Sequence, residues 1–255
     1  MKRVLAVGVI ALLPALAMAE KPHVSMLHLQ KGIFEDPECE TDDDFPDACL
    51  SDCDISYPVV DGIEHMPNQK ALNKKWEQKG EQQRCAGRKV AVGLTADRMP
   101  NVYKSNYDVL VNDGVLLSFA ENTYTYGTGA AHGIGGSEGV IIDAKMGKEL
   151  GTGDLLDMSK ANELNEYLLD QMEKDERVFD DIRETRAKEY SPFISDKNRE
   201  FTLMLKEDGL YAQFGVYQIG PYSSGEIDYL IPREFIAHPH ILKRMDEKEQ
   251  RDAQR

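Results

Sequence analysis

A glycine-rich loop between two apolar segments is the feature that most constrains the fold. The loop spans residues 124–136, reads Tyr-Thr-Tyr-Gly-Thr-Gly-Ala-Ala-His-Gly-Ile-Gly-Gly, and contains five glycines among its thirteen residues. Residues 115–126, which run into the loop, form the longest strand candidate in the chain, and residues 139–144 form the strand that leaves it. Two consecutive strands joined by such a loop predict an antiparallel hairpin with the loop at its tip.

The other elements predict an α+β fold with a largely antiparallel sheet. Asn112-Asp113-Gly114 and Glu207-Asp208-Gly209 are hairpin signals between apolar segments. A strand is expected at residues 55–60, and Pro58 within it favours a position at the edge of the sheet. No regular alternation of strands and helices occurs, so a parallel α/β sheet is not expected.

Two or three helices are expected to pack on this sheet in a single domain. Residues 68–84 predict the first helix with Asn68 as its N-cap, and a second helix begins near Ser159. We place the domain at residues 54–245, after an acidic arm at residues 20–53. A charged tail, expected to fray, follows at residues 246–255.

The N-terminus predicts a secretory signal peptide at residues 1–19. Lys2 and Arg3 precede an apolar segment at residues 4–16, and Ala17-Met18-Ala19 is a cleavage signature. The apolar segment is too short to span a bilayer as a mature helix and contains Pro14, which disfavours the alternative of a retained anchor. We therefore expect a periplasmic or secreted protein without a membrane span after cleavage.

Four cysteines, Cys39, Cys49, Cys53 and Cys85, are expected to form two disulfides in this oxidising environment. Three pairings are possible. We expect one bridge to connect the segment at residues 39–53 to Cys85 and the other to be local. A zinc site is the alternative, but no two cysteines have the short spacing of a zinc ribbon and no histidine is close. No metal and no cofactor are predicted.

The chain is strongly acidic. Removal of Lys2 and Arg3 with the signal peptide changes the formal net charge from −15 to −17, because residues 1–19 contain no acid. Such a surface disfavours nucleic acid and favours basic partners or cations, although solubility is an alternative reason for the charge. Residues 35–54 hold ten of the carboxylates, and the interpretations are a disulfide-pinned loop, a weak cation site or a partner-binding patch.

Several short motifs resemble the extracytoplasmic C-terminal domain of RsiV-type anti-sigma factors, a domain that also occurs beside peptidoglycan deacetylase domains. The matching pieces are Tyr57-Pro58, Asn73, Tyr124-Thr-Tyr126, residues 129–133, Asp143, Gly147, residues 154–156, residues 214–225 and Ile231-Pro232. The resemblance implies a compact α+β domain that senses a ligand or binds a partner. The best-known member of that family binds lysozyme, a basic protein. We expect no anti-sigma role, because the only apolar run is the signal peptide.

Candidate ligand contacts lie in the glycine-rich loop and near a second turn. They are Tyr124, Tyr126, His132, Tyr217 and Tyr222. We interpret His132 as a turn residue that hydrogen-bonds the backbone or a tyrosine. A ligand contact is the second interpretation, and a general base paired with Glu138 or Asp143 is the third.

The sequence contains no constellation that we assign as catalytic, since the serines lack a nucleophile-elbow motif. It therefore predicts an exported, non-catalytic binding or sensing domain of the cell envelope. The expected partner is a basic protein such as lysozyme or a peptidoglycan fragment. The alternative functions are an envelope enzyme that acts on peptidoglycan and a structural envelope component.

Overall fold

The computed structural model describes residues 21–35, 39, 49–82, 89–90, 100–185, 193–195 and 198–254. The predicted signal peptide, most of the acidic segment and Cys85 lie outside these ranges. Within them, none of the helices combines the length and apolar character needed to cross a membrane.

The main sheet has seven strands in the order β3-β1-β2-β4-β5-β6-β7. Their bounds are β1 His23–Glu35, β2 Leu50–Asp61, β3 Lys89–Val90, β4 Asn101–Asn112, β5 Leu116–Tyr126, β6 Ile134–Asp143 and β7 Lys148–Glu149. All neighbouring strands are antiparallel except β2 and β4, which are parallel. The predicted α+β class with a largely antiparallel sheet is confirmed, and the acidic arm contributes β1 to that sheet.

Two smaller sheets, five α-helices and three short 3-10 helices complete the described fold. The other strands are β8 Phe193–Ser195, β9 Asn198–Arg199, β10 Thr202–Lys206, β11 Gly209–Phe214 and β12 Ile227–Leu230. The helices are α1 Met66–Glu81, α2 Thr152–Leu155, α3 Ala161–Lys174, α4 Asp180–Thr185 and α5 Pro239–Asp252. β10, β11 and β12 form an antiparallel three-stranded sheet, and both predicted hairpin turns are confirmed, at β4–β5 and at β10–β11.

Helix α1 packs on the main sheet through one face. Trp76 is buried against the ring of Phe119 on β5, with 5.3 Å between the ring centroids. Asn73 fixes the helix along the sheet, because its side chain accepts from the Val60 amide and donates to the Val60 carbonyl at 3.0 and 2.8 Å. The predicted N-cap at Asn68 is wrong: the helix begins two residues earlier, and His65 Nδ1 accepts from the Asn68 amide.

The prediction that Pro58 marks an edge strand is also wrong. β2 lies inside the sheet between β1 and β4. However, β4 pairs only with residues 51–55 of β2, whereas Pro58 lies opposite Met26 of β1. Pro58 is therefore tolerated because its part of the strand has no β4 neighbour that needs an amide donor.

The small sheet packs across the main sheet at a very close contact between β10 and β6. A Cβ added at Gly139 on β6 would overlap the carbonyl oxygen of Leu203 on β10. The Gly139 amide donates to Thr202 Oγ1 at 3.0 Å, and the Ser137 amide donates to the carboxylate of Glu226. Side chains of β10 and of the loop that precedes β12 thereby satisfy amides along β6.

Helix α5 extends into the predicted tail and is anchored to the β4–β5 turn. Residues 246–252, predicted as a fraying tail, continue the helix, which carries Lys243–Glu247 and Lys248–Asp252 ion pairs at i,i+4 spacing. Asp113 in the turn lies 2.9 Å from His240 Nε2 and 2.5 Å from Arg244 on the helix.

The disulfides agree with the prediction as far as the described residues extend. Cys39 and Cys49 form the local bridge, and Cys53, buried in β2, is also disulfide-bonded. The role predicted for Cys85 lies outside the described residues. Disulfides are typical of oxidising compartments outside the cytoplasm.

We expect Gly139→Ala to lower the free energy of unfolding by about 2 kcal/mol, because β10 must move to accommodate the new Cβ. Urea denaturation measures the effect. Gly136→Ala on the same strand is the matched control, since its nearest neighbour would lie 4.0 Å away, and it should change stability by no more than about 0.5 kcal/mol. Equal destabilisation by both variants would contradict the close-contact explanation.

Acid should weaken the anchor at Asp113. Burial alone would raise the pKa of this carboxyl, but donation from the Leu116 and Val115 amides, His240 and Arg244 holds its pKa well below its usual range. A folded pKa below the unfolded value of about 3.9 stabilises the fold above that pH, and this contribution is lost as the pH falls further.

Chemical denaturation between neutral and acid pH tests this linkage. Asp113→Asn should be less stable than the natural protein at neutral pH and should lose less stability on acidification. Glu64→Gln, at an exposed bend, should retain the full pH dependence. If Asp113→Asn also retains it, Asp113 does not carry the acid sensitivity.

Candidate functional site

The glycine-rich loop lies at the tip of the β5–β6 hairpin, as predicted, and presents His132 to solvent. The Ala130 amide donates to the Gly127 carbonyl at 2.9 Å and closes the turn. A Cβ added at Gly133 would overlap the ring of Tyr124. The glycine after His132 is therefore required for Tyr124 to lie across the base of the loop.

A second loop, at residues 215–226 between β11 and β12, brings two more tyrosines to the hairpin tip. Tyr217 has a φ of +66°, and no other non-glycine residue in the described ranges has a positive φ. Such a conformation is unusual for a bulky aromatic residue and points to a local constraint. The side chain of Gln218 supplies part of it, because its Oε1 accepts from the Gly215 amide at 2.7 Å.

His132, Tyr217 and Tyr222 form one cluster, which we call the aromatic surface together with Tyr124. Tyr222 stacks on the imidazole with 4.1 Å between the ring centroids and 28° between the planes. The Tyr217 hydroxyl lies 3.1 Å from His132 Nε2. The two tyrosine rings are 5.7 Å apart. All five predicted contact residues thus lie on the hairpin tip or the loop that meets it, and three of them make the ring contacts of the cluster.

The hydrogen bonds of His132 determine its tautomer. Nδ1 lies 3.0 Å from the Gly133 carbonyl oxygen, which can only accept, so Nδ1 carries the proton. In the neutral ring Nε2 is then an acceptor, and the Tyr217 hydroxyl donates to it. His132 hydrogen-bonds both the backbone and a tyrosine, as the sequence indicates.

The aromatic surface is open to solvent. Tyr217, Tyr222 and Tyr124 are 46%, 39% and 37% exposed. Tyr126 lies at the end of β5 opposite Val102, and the ring contacts of the cluster do not include it. Exposed aromatic rings held in fixed positions are suited to binding rather than to core packing.

Neither acid considered as a partner for His132 reaches it. Glu138 lies 3.5 Å from Lys79. Asp143 accepts from the Lys145 and Met146 amides in the β6–β7 turn. The hydrogen bonds of His132 within the described part of the chain go to Gly133 and Tyr217, so the arrangement lacks the carboxylate that would orient a general base.

Sequence reasoning missed a second group of polar residues beneath α1. Glu121 is 3% exposed, and Lys79 Nζ lies 2.5 Å from its Oε2. Burial raises the pKa of Tyr107, and its hydrogen bond to Glu121 raises that pKa further. Glu121 follows Phe119 by two residues on β5, so the alternation of the strand already placed this carboxylate on an inward face.

The comparisons with known proteins divide the chain into two matched segments. Residues 46–135 match a family profile described as deacetylase PdaC, and residues 153–234 match a profile described as a protein of unknown function, DUF3298. His132 lies in the first segment, whereas Tyr217 and Tyr222 lie in the second. A comparison with curated proteins finds no match.

Two solved structures share the fold. A DUF3298 family member from Bacteroides fragilis has a TM-score of 0.52 at 16% identity and covers 90% of this chain and 99% of its own. A DUF3298 family protein from Pseudomonas aeruginosa has a TM-score of 0.51 at 17% identity, with coverage of 88% and 98%. At this identity the likeness shows the fold alone. The profiles agree with the resemblance in its broader form, a domain of unknown function alongside a deacetylase-related segment.

The tautomer of His132 is testable by long-range proton–nitrogen NMR of the imidazole at neutral pH. We expect a protonated Nδ1 and an unprotonated Nε2. Tyr217→Phe removes the hydroxyl that donates to Nε2 and should shift the tautomer ratio. Tyr222→Phe keeps the stacked ring and should not shift it. A predominantly Nε2-protonated ring in the natural protein would contradict this hydrogen-bond assignment.

Proposed function

We propose that this protein is an exported, non-catalytic binding domain of the cell envelope whose aromatic surface contacts a basic protein such as lysozyme. The observation that carries the proposal is the convergence of His132, Tyr217 and Tyr222 from two distant segments on an exposed surface. Tyrosine contributes large contact area with few rotatable bonds, and it is enriched where interfaces are strongest.

Three properties support a binding role over a catalytic one. The backbone of Tyr217 has a positive φ, and its hydroxyl hydrogen-bonds His132. The aromatic rings are therefore held in place before a ligand binds. The hydrogen bonds of the His132 ring within the described residues go to the Gly133 carbonyl and the Tyr217 hydroxyl and not to a carboxylate, so the group that would orient a general base is lacking. The formal net charge of −17 after signal cleavage favours the capture of a cationic protein.

The periplasmic or secreted location is part of the proposal. It is supported by the signal-peptide pattern at residues 1–19 and by the Cys39–Cys49 disulfide. A second candidate function, an envelope enzyme acting on peptidoglycan, is favoured by the deacetylase description of the profile matched by residues 46–135.

Binding of a basic lysozyme to the immobilised mature protein tests the proposal. We expect binding that weakens at high salt, because the long-range attraction is electrostatic. Tyr222→Ala should weaken it by about tenfold or more, the loss typical of a central aromatic contact. Leu27→Ala removes a similarly exposed apolar side chain from β1, far along the sheet from the hairpin tip, and should have no effect.

Three results would overturn the proposal. The first is a lack of salt-sensitive binding, and the second is binding that Tyr222→Ala leaves unchanged. The third is turnover of N-acetylated peptidoglycan fragments by the natural protein that is lost in His132→Ala. That third result would replace the binding function with the enzymatic one.

A further inference from the structure

A polar cleft lies between helix α1 and strand β6, separate from the rings of the aromatic surface. It consists of two adjoining cavities of about 220 and 350 Å³, and Lys79, Glu121 and Glu138 line both. The wider cavity falls in the range of about 300–1,000 Å³ found for small-molecule sites. We propose that this cleft binds a neutral sugar residue.

The charges in the cleft are already matched with each other. Lys79 Nζ lies 2.5 Å from Glu121 and 3.5 Å from Glu138, while Lys75 Nζ lies 2.6 Å from Glu149. An anionic ligand would face three carboxylates and two paired ammonium groups. A strongly charged ligand of either sign would have to displace one of these partners, whereas a neutral ligand would leave the pairs in place.

The same pairs present donors and acceptors side by side. An ammonium group has three donors, and each carboxylate has about four acceptor positions, so the pairing of Lys79 with Glu138 leaves capacity on both groups. Thr123, which lines the wider cavity, adds a hydroxyl oxygen that can accept, while its proton goes to the Gly136 carbonyl. A sugar ring carries several neighbouring hydroxyl groups that each donate and accept, and it therefore fits a network in which both roles alternate over short distances.

The narrower cavity supplies an apolar wall. Trp76 and Val140, which pack in the same hydrophobic cluster on this face of the sheet, line it beside the Lys75–Glu149 pair. A pyranose ring has a polar rim of hydroxyl groups and a less polar face of C–H groups, so a site with polar groups at one side and apolar side chains at the other matches both. Ligand sites commonly combine such an apolar lining with a few placed polar groups.

The polar groups are held by rigid elements. Glu121 lies on β5 between two paired strands and is 3% exposed. The Tyr107 side chain on β4 hydrogen-bonds Glu121. Burial raises the pKa of the Tyr107 hydroxyl and so keeps that hydroxyl protonated. Lys79 reaches the carboxylate from α1. Burying an ion pair costs desolvation free energy. A binding role would explain why the Lys79–Glu121 pair, which lines both cavities, is retained.

The cleft and the aromatic surface are tested with different ligands. The sugar proposal does not rest on the proposed protein contact, because the residues that carry the two are different. Tyr222→Ala should weaken lysozyme capture without changing sugar binding, and a variant of the cleft should do the reverse. Either proposal can therefore fail while the other stands.

The test compares two trisaccharides with the same backbone on the mature full-length chain. Chitotriose is neutral, whereas its fully deacetylated form carries protonated amines. Saturation-transfer NMR and calorimetry should show that chitotriose binds and that its affinity changes little with salt. At high salt, where the attraction of the acidic chain for any cation is screened, the deacetylated form should bind more weakly than chitotriose, since its ammonium groups compete with Lys79 for the carboxylates.

Glu138→Ala is the cleft variant, and Glu64→Ala, also an exposed glutamate, is its control. Glu138 is mostly exposed, so its removal should leave thermal unfolding nearly unchanged. It should weaken chitotriose binding about tenfold, the loss expected for a hydrogen bond to a charged group. Glu64→Ala should bind as the natural protein does.

Three outcomes would overturn the proposal. Failure of chitotriose to bind would remove the sugar site. Tighter, salt-sensitive binding of the deacetylated trisaccharide would make the cleft an amine site. Binding that is lost in Tyr222→Ala but kept in Glu138→Ala would place the sugar on the aromatic surface instead.

Discussion

The close packing of β10 over β6 at Gly139 is the contact on which the rest of the structure depends. Because Gly139 has no side chain, the Leu203 carbonyl reaches the strand and Thr202 and Glu226 reach its amides. β10 lies in the segment that matches the second family profile, and β6 begins at the end of the segment that matches the first. The hydrogen bond from the Ser137 amide to Glu226 also holds the end of the loop at residues 215–226 beside the β5–β6 hairpin, whose tip carries His132.

The aromatic surface and the polar cleft offer a ligand different kinds of interaction. The aromatic surface offers exposed rings whose positions are set by the positive φ of Tyr217 and the hydrogen bond to His132. The charged groups of the cleft are already paired with each other. Among them, the buried carboxylate of Glu121 is held by Lys79. The first arrangement favours a large, partly apolar partner, and the second favours a small polar one, since binding there need not break an ion pair.

Much of the fold followed from local patterns. The hairpin around Asp113, the hairpin around Asp208 and the long strand leading into the glycine-rich loop were predicted from turn residues and alternation, because these signals act between neighbours in the chain. The errors at Pro58, Asn68 and the C-terminal tail share one cause. Each depends on what lies beside the residue in space: the reach of β4, the Met146 carbonyl to which the Asn68 side chain donates, and the anchoring of α5 to the β4–β5 turn.

The candidate site divides in the same way. Residue types and spacing identified the α+β class and singled out His132, Tyr217 and Tyr222 individually, since glycine-rich turns and isolated aromatic residues are visible in the chain. Their contact in the fold could not be predicted, because His132 and Tyr217 are 85 residues apart in the chain and no local sequence pattern specifies a contact over that separation. The pairing of Lys79 with Glu121 was hidden for the same reason: a carboxylate on an inward strand position is tolerated only when long-range packing of α1 delivers an ammonium group to it.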